Sequence, residues 1–195
     1  MKSMSKDKHQ LSGVTEAQPL RLPRSAVEAI AEVWSKEAEY SPNMSLVEMV
    51  ERFNGTLIFS DDPRVLETNS IRVNGERDFE IRIPATATAA ANRFTVAHEL
   101  GHYVLHYLAA NDRKPIFASR YGTGEAENEA NWFAWAFLMP AEDFRRTWKD
   151  CQSSILSVAE YFKVSVFDSI TRARQLGLVP AKLVIDEDAT EEVVA

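Results

Sequence analysis

The chain has 195 residues, of which 45% are hydrophobic and 26% are charged, and its formal net charge is -7. This composition is typical of a globular protein, and the length fits one ordinary domain with a small appendage. The acidic balance opposes nonspecific attraction to nucleic acid or to an anionic membrane, so a DNA-binding role would need a local basic patch.

Cysteine usage and the distribution of apolar residues predict where the protein resides. Cys151 is the single cysteine, which excludes an intrachain disulfide and favours a reducing compartment. Residues 1–20 contain no apolar run, and no other stretch approaches the roughly 18 apolar residues of a membrane span. We therefore expect neither export nor a membrane anchor, and we predict a cytoplasmic location.

The first half of the chain predicts a tail, two helices and a small sheet. Residues 1–20 are polar and lack periodicity, so we expect a flexible N-terminal tail. Apolar residues recur at helical spacing over residues 23–34 and again over residues 45–53. Three short β-rich runs follow, separated by turn residues, and they predict a mainly antiparallel sheet. These runs are residues 56–59, 70–73 and 78–83.

The second half predicts helices. Residues 87–109 and 125–139 have helical patterns, with a loop between them, and Pro140 ends the second helix. Residues 141–178 predict two or three further helices, and we expect the acidic end, residues 181–195, to be frayed.

The segment His98-Glu99-Leu100-Gly101-His102 has the pattern HExxH inside the first of these helices. Residues four apart share a helix face, so both imidazoles can bind one cation, with Glu99 beside them. We expect one Zn²⁺ per chain, since imidazole and carboxylate groups are ligands that zinc binds. With one position left for water, zinc lowers the pKa of that water to about 7. Glu99 is then the predicted general base that activates this water.

A catalytic zinc site also needs a third protein ligand, and His106 is the nearest candidate in sequence. At about 1.5 Å rise per residue His106 lies about 12 Å along the helix from His98, too far for both to bind one ion. We therefore predict that His106 either contacts a ligand residue without binding the metal itself or has a purely structural role.

The helix over residues 125–139 offers a better ligand. Glu127 and Asn131 are four apart, so they share the face that we expect to pack on the HExxH helix. We predict Glu127 as the ligand and Asn131 as a hydrogen-bonding neighbour that orients a ligand. Glu129 points to roughly the opposite side and is the alternative ligand. Of the three acids Glu125, Glu127 and Glu129, we expect at least one only to complement the helix dipole.

Two blocks of sequence resemble the ImmA/IrrE family of metallopeptidases: RFTVAHELGHYVLH at residues 93–106 and ENEANWFAWAFLMP at residues 127–140. The resemblance covers roughly residues 25–180. It implies an α+β, zincin-like fold with an HExxH active-site helix. It also implies His98, His102 and Glu127 as metal ligands and Glu99 as the general base.

The same resemblance implies a function. Members of the family cut a partner repressor or another DNA-binding regulator, so we expect an endopeptidase with a protein substrate of that kind. Thermolysin-like relatives steady the oxyanion with a further histidine, which this chain lacks outside the motif and the tail. Tyr121, Arg120 and Tyr103 are the candidates to replace it, although Tyr121 and Arg120 also fit ordinary loop positions.

These expectations divide the chain into four parts. A flexible tail (1–20) precedes a zinc metallopeptidase domain (21–145), a small helical subdomain (146–180) and an acidic C-terminal tail (181–195).

Two other functions compete with the peptidase. Residues 154–180 resemble a helix-turn-helix, which would make the protein a DNA-binding regulator. Their basic residues, Lys163, Arg172 and Arg174, are too sparse for a phosphate-binding surface, so we expect no direct nucleic-acid binding. The third function is a non-catalytic metal-bearing module that binds a regulator, but such a module would have no need of Glu99.

Overall fold

Seven α-helices, one π-helical segment and five strands make up the part of the chain that the structure describes. The structure is a computed structural model and describes residues 13–62, 70–119 and 122–180. In chain order the elements are β1 (Thr15–Glu16), α1 (Arg24–Glu37), α2 (Leu46–Glu51), β2 (Thr56–Ser60), β3 (Ile71–Gly75), β4 (Asp78–Pro84), α3 (Ala89–Gly101), the π-helical segment (His102–Leu108), β5 (Ile116–Ala118), α4 (Glu125–Leu138), α5 (Ala141–Asp150), α6 (Ile155–Phe162) and α7 (Val166–Gln175). The predicted α+β class is confirmed.

The five strands form one sheet in the order β1-β5-β3-β4-β2. Its two central pairings, β3 with β4 and β3 with β5, are antiparallel, whereas the outer pairings are parallel. The sheet is therefore mixed, where the sequence predicts a mainly antiparallel one. The difference arises because β2 pairs with β4 and not with β3, its neighbour in sequence. Along β4, Phe79, Ile81 and Ile83 are buried, which is the predicted alternation of a strand with one wet face.

The N-terminal segment is part of the fold from residue 15 onward. Thr15 and Glu16 pair in parallel with Ile116 and Phe117 of β5, and Ala17 donates its N–H to the Phe117 carbonyl at 2.8 Å. These backbone bonds correct the prediction that all of residues 1–20 form a flexible tail. Residues 1–12 and the predicted C-terminal tail, residues 181–195, lie outside the described residues.

The predicted helix over residues 87–109 consists of two kinds of helix. Thr88 caps α3, since its side chain accepts a hydrogen bond from the N–H of Ala91. After Gly101 the chain widens into the π-helical segment. The wider turn is visible at the end of that segment, where Ala109 donates its N–H to the carbonyl of Val104 at 3.0 Å. Such segments are rare and occur frequently at functional sites.

Helices α3 and α4 approach each other closely at Gly101. A Cβ atom added there would lie 3.1 Å from Ala130 Cα, 3.2 Å from Ala130 O and 3.2 Å from Phe133 Cβ. Because two of these atoms belong to the backbone of α4, they have little freedom to move aside. The absence of a side chain at Gly101 therefore determines how near α4 comes to the HExxH segment.

The three C-terminal helices share the hydrophobic core of the rest of the chain. Val158, Phe162 and Ala173 belong to the same buried cluster as the sheet residues. Arg172 of α7 is fully buried, donates to the carbonyl of Met139 and pairs with Glu28 and Glu32 of α1. The boundary that we predicted at residue 145 therefore does not separate two cores.

Within the described ranges, no helix combines the length and the apolar character that crossing a lipid bilayer requires.

Replacing Gly101 by alanine tests the close contact between α3 and α4. We expect Gly101→Ala to lower the free energy of unfolding by about 1–3 kcal/mol, because overpacking outweighs the helix propensity that alanine adds. Urea denaturation measures this change. The matched control is Gly75→Ala, whose added Cβ meets only the Cβ of Asp78 at 3.9 Å. Equal stability of the two variants would contradict a tight helix contact.

Candidate metal centre

Three side chains bring ligand atoms together at the junction of α3, the π-helical segment and α4. Nε2 of His98 lies 3.1 Å from Nε2 of His102 and 3.1 Å from Oε2 of Glu127, and Nε2 of His102 lies 3.4 Å from Oε1 of Glu127. All three residues offer a ligand atom within 4.8 Å of the others. The structure thus assembles the three residues that the sequence indicates as metal ligands.

These spacings fit a tetrahedral metal ion. Zinc binds imidazole nitrogen and carboxylate oxygen at about 2.1 Å, so neighbouring ligand atoms around one ion lie about 3.4 Å apart. The observed separations of 3.1–3.4 Å match this value. The cluster can therefore hold a metal ion with little rearrangement of its side chains.

The cluster is closed on one side and open on the other. The side chain of His102 is fully buried, whereas those of His98 and Glu127 are 15% and 18% exposed. A cleft of about 200 Å³ reaches Glu127 and is bounded by residues 16–19 of the N-terminal segment, by residues 122–123 and by residues 125–127. A larger cleft of about 680 Å³, between α1, α5 and α6, includes none of the three clustered residues.

Asn131 lies one turn after Glu127 and contacts His98 from behind. Its Oδ1 atom lies 2.9 Å from Nδ1 of His98. Because an amide oxygen only accepts, Nδ1 of His98 is the donor in this bond. In this arrangement Nε2 of His98 faces the cluster, and the role of Asn131 in orienting a ligand stays a prediction.

His106 and Glu129 contact each other, and neither lies among the three clustered ligand atoms. Nδ1 of His106 is 2.9 Å from Nδ1 of His102, and Nε2 of His106 is 2.9 Å from Oε2 of Glu129. The Glu129 carboxylate also accepts hydrogen bonds from the backbone N–H groups of Leu20 and Leu22, both at 2.9 Å. Glu129, the alternative ligand in the sequence interpretation, is therefore directed at His106.

Glu99 is 3% exposed and follows His98 on α3. Its negative charge acts on the His98 imidazole, so the carboxylate is close enough to affect proton affinity in the cluster. Its role as the general base stays a prediction.

The proton affinities of the cluster reflect its burial and its charges. Burial disfavours the charged form of both histidines, and it lowers the pKa of His102 to about 3. At His98, burial is outweighed by the hydrogen bond to Glu127 and by the charges of Glu99 and Glu127, so its pKa is raised. Burial opposes ionisation of Glu127, yet its contacts with His102 and His98 hold its pKa well below the usual range. Likewise, bonds from His106 and two backbone amides overcome burial and lower the pKa of Glu129.

Of the three candidates for the oxyanion group, the structure describes Tyr103. Tyr121 and Arg120 lie outside the described residues. Tyr103 stacks on Phe79 with ring centroids 4.1 Å apart, and its hydroxyl accepts a hydrogen bond from the N–H of Arg77. These contacts give Tyr103 a structural role in packing the π-helical segment on the sheet.

Two supporting features escaped the sequence interpretation. An added Cβ at Gly122 would collide with the Glu127 carboxylate, so this glycine leaves room for the predicted ligand. The pair Gly122 and Gly124 just before the helix is the signal that could have indicated it. The amides of Leu20 and Leu22 carry no signal in sequence, because every residue except proline has a backbone N–H.

The fold and this cluster define a metallopeptidase-like protein. The family model described as the IrrE N-terminal-like domain of the M78 peptidases matches residues 66–167. The match spans more than half of the 195 residues, and the chain belongs to this family. The resemblance to the ImmA/IrrE metallopeptidases is thereby confirmed.

Other comparisons are more distant. A solved structure of a Mycobacterium tuberculosis transcriptional regulator matches with a TM-score of 0.49 and 19% sequence identity. The match covers 75% of this chain and 46% of that chain, so this chain spans less than half of that protein's length. Among curated proteins, none matches significantly.

Metal content after dialysis tests the ligand set. We expect the wild-type protein to retain one zinc ion per chain and Glu127→Ala to lose it, because two imidazoles alone leave the ion short of a protein ligand. Elemental analysis of the dialysed proteins measures the content. Glu125→Ala is the matched control, since Glu125 starts the same helix and pairs with Arg21 on the surface. Full occupancy in Glu127→Ala would contradict the assignment.

The pH dependence of the metal-free protein tests the state of His102. Its folded pKa of about 3 lies below the ordinary value of about 6.5. Between these values the unfolded chain binds a proton that the folded protein does not. The free energy of unfolding therefore falls as pH drops below about 6.5, by up to about 1.4 kcal/mol per pH unit.

The raised pKa of His98 affects the free energy of unfolding over a different pH range. Its stabilising contribution is complete below about pH 6.5 and is lost only as pH rises through its folded pKa. Urea denaturation with chelator present, between about pH 5 and about 6.5, therefore isolates His102. We expect a shallower pH dependence for His102→Gln than for wild type. Parallel curves would mean that His102 ionises normally in the folded protein.

Proposed function

We propose that the protein is a zinc-dependent endopeptidase that hydrolyses peptide bonds in a partner protein. The observation that carries this proposal is the convergence of His98 Nε2, His102 Nε2 and the Glu127 carboxylate at separations of 3.1–3.4 Å. Membership of a peptidase family supports it. The partial exposure of His98 and Glu127 supports it further, because a catalytic metal site keeps one position open to water and substrate.

Zinc is the ion that this donor set favours. Two imidazole nitrogens and one carboxylate are the protein ligands of several catalytic zinc sites. Among the described residues the cluster includes no cysteine, whose thiolate is typical of closed structural sites. When bound, zinc would acidify a water molecule and polarise the carbonyl of the scissile peptide bond.

Glu99 is the proposed general base. Its carboxylate takes a proton from the attacking water as the water oxygen bonds to the carbonyl carbon, and it then delivers this proton to the leaving nitrogen as the C–N bond breaks. Burial keeps bulk water from competing with this transfer. The effect of its charge on His98 supports a position beside the metal ligands.

We propose a DNA-binding regulator, such as a repressor, as the substrate, and the cytoplasm as the compartment. The sequence blocks at residues 93–106 and 127–140 support this substrate class through their resemblance to the ImmA/IrrE peptidases. The single cysteine is consistent with a reducing compartment. Cleavage would then release genes that the intact regulator controls.

The contacts of α6 and α7 argue against the rival DNA-binding function. Arg172, one of the three basic residues of this segment, is fully buried in ion pairs with Glu28 and Glu32. Asp168, on the same helix, accepts a hydrogen bond from the indole N–H of Trp135 in α4. These contacts place one face of α7 against the core and remove a cation from any phosphate-binding surface.

The variant Glu99→Gln tests the hydrolytic mechanism. We expect it to bind zinc like wild type but to cleave at least about 100-fold more slowly, since general base catalysis contributes a factor of this order. Wild type and variant are each incubated with a complex peptide library and with purified candidate regulators, and new N-termini are identified by mass spectrometry.

Each outcome has a distinct meaning. Cleavage by wild type alone supports the endopeptidase with Glu99 as its base. Equal cleavage by both proteins would exclude Glu99 as the base. Binding of a regulator by both proteins, with no new N-termini from either, would instead favour a non-catalytic metal-bearing module.

A further inference from the structure

A chain of buried hydrogen bonds leads from His102 through His106 and Glu129 to the N-terminal segment. His106 is 3% exposed and Glu129 is 2% exposed. The successive contacts, His102 Nδ1 to His106 Nδ1, His106 Nε2 to Glu129 Oε2, and Glu129 to the N–H groups of Leu20 and Leu22, all measure 2.9 Å. We call these three side chains and two amides the His102 relay.

The donor and acceptor in each bond of the His102 relay can be assigned by starting from the two backbone N–H groups, which can only donate. The amides of Leu20 and Leu22 can only donate, so both oxygens of the Glu129 carboxylate act as acceptors. Oε2 of Glu129 also receives the contact from His106, which places the His106 proton on Nε2. In an imidazole that carries this one proton, the other ring nitrogen, Nδ1 of His106, is an acceptor.

The Nδ1 atoms of His102 and His106 face each other at 2.9 Å. Because Nδ1 of His106 accepts, the proton between the two rings belongs to Nδ1 of His102. Nε2 of a neutral His102 then has a free lone pair. This is the atom that faces Nε2 of His98 and the carboxylate of Glu127.

We propose that His106 and Glu129 are positioning residues that hold His102 in the tautomer required of a metal ligand. The inference rests on the proposed metal site and extends it from three ligands to the groups behind them. At His98 the corresponding place is taken by an amide oxygen, Oδ1 of Asn131. At His102 this place is taken by His106. The Nδ1 atom of His106 can accept a hydrogen bond only if the ring proton is on Nε2, where Glu129 accepts a hydrogen bond from it.

The π-helical segment carries both histidines of the relay. It places the His102 and His106 rings with centroids 5.0 Å apart and with Nδ1 facing Nδ1. The far nitrogen of His106 then reaches α4 and the N-terminal segment. Glu129 is on the face of α4 that meets these two elements, whereas Glu127, two residues earlier, meets the metal cluster.

The test uses full-length protein in which the relay is broken by one near-isosteric change, Glu129→Gln. The amide replaces one of the two carboxylate oxygens by a donor group, whereas the relay uses both oxygens as acceptors. The matched control is Glu125→Gln, an acid on the same helix whose side chain is 65% exposed. Zinc affinity is measured by competition with a chelator of known affinity. We expect Glu129→Gln to bind zinc about 10- to 100-fold more weakly, the usual loss for groups that orient a metal ligand, and Glu125→Gln to bind like wild type.

A second readout reports the tautomer directly. Long-range ¹H–¹⁵N NMR spectra of the metal-free wild-type protein should show His102 protonated at Nδ1 and bare at Nε2, and His106 protonated at Nε2. In folded Glu129→Gln we expect the His106 proton to leave Nε2 or to be shared between both nitrogens. Circular dichroism and the thermal midpoint establish that each variant is folded.

The outcomes separate this inference from the proposed function. A wild-type His102 protonated at Nε2 would overturn the relay, even if Glu129→Gln fails to fold. A folded Glu129→Gln with wild-type zinc affinity and wild-type spectra would also overturn it, whether or not the protein cleaves peptides. The expected spectra and weaker zinc binding support the relay even if no substrate is cleaved, and in that case only the endopeptidase proposal fails.

Discussion

The distance between α3 and α4 is the constraint on which the rest of the site depends. A metal ion with bonds of about 2.1 Å cannot bridge two helices unless their backbones come close. Gly101 permits this approach, since an added Cβ would lie 3.1–3.2 Å from atoms of Ala130 and Phe133. Glu127 and Asn131 flank Ala130 on α4, and both reach His98. The packing of α3 on α4 and the spacing of the candidate ligand atoms therefore depend on the same contact between these two helices.

The same contact explains why two acids two residues apart have different roles. Successive residues of a helix point in different directions, so Glu127 and Glu129 face different neighbours. Glu127 meets two imidazole nitrogens at an exposed edge. Glu129 enters a buried space, where an ionised carboxylate is costly unless several donors surround it. His106 and the amides of Leu20 and Leu22 supply those donors.

The N-terminal segment thus contributes to both the sheet and the site. Thr15 and Glu16 extend the sheet beside β5, and the next few residues deliver two amides to Glu129. At the opposite end of the chain, Arg172 joins α7 to α1 and to the end of α4. The helix that carries Glu127 is therefore supported by segments from both ends of the described chain.

The sequence by itself determined what depends on local periodicity and spacing. Helical and alternating patterns located most of the helices and β2 to β4, and the i, i+4 spacing placed His98 with His102 and Glu127 with Asn131 on common faces. Only the tertiary structure decided the π-helical turn, the pairing of residues 15–17 with β5 and the partner of Glu129. These features depend on backbone hydrogen bonds between segments distant in sequence or on a change in helical pitch. Almost any residue can make such backbone bonds, so the sequence does not show where they form. Their positions therefore follow from how the assembled elements pack together.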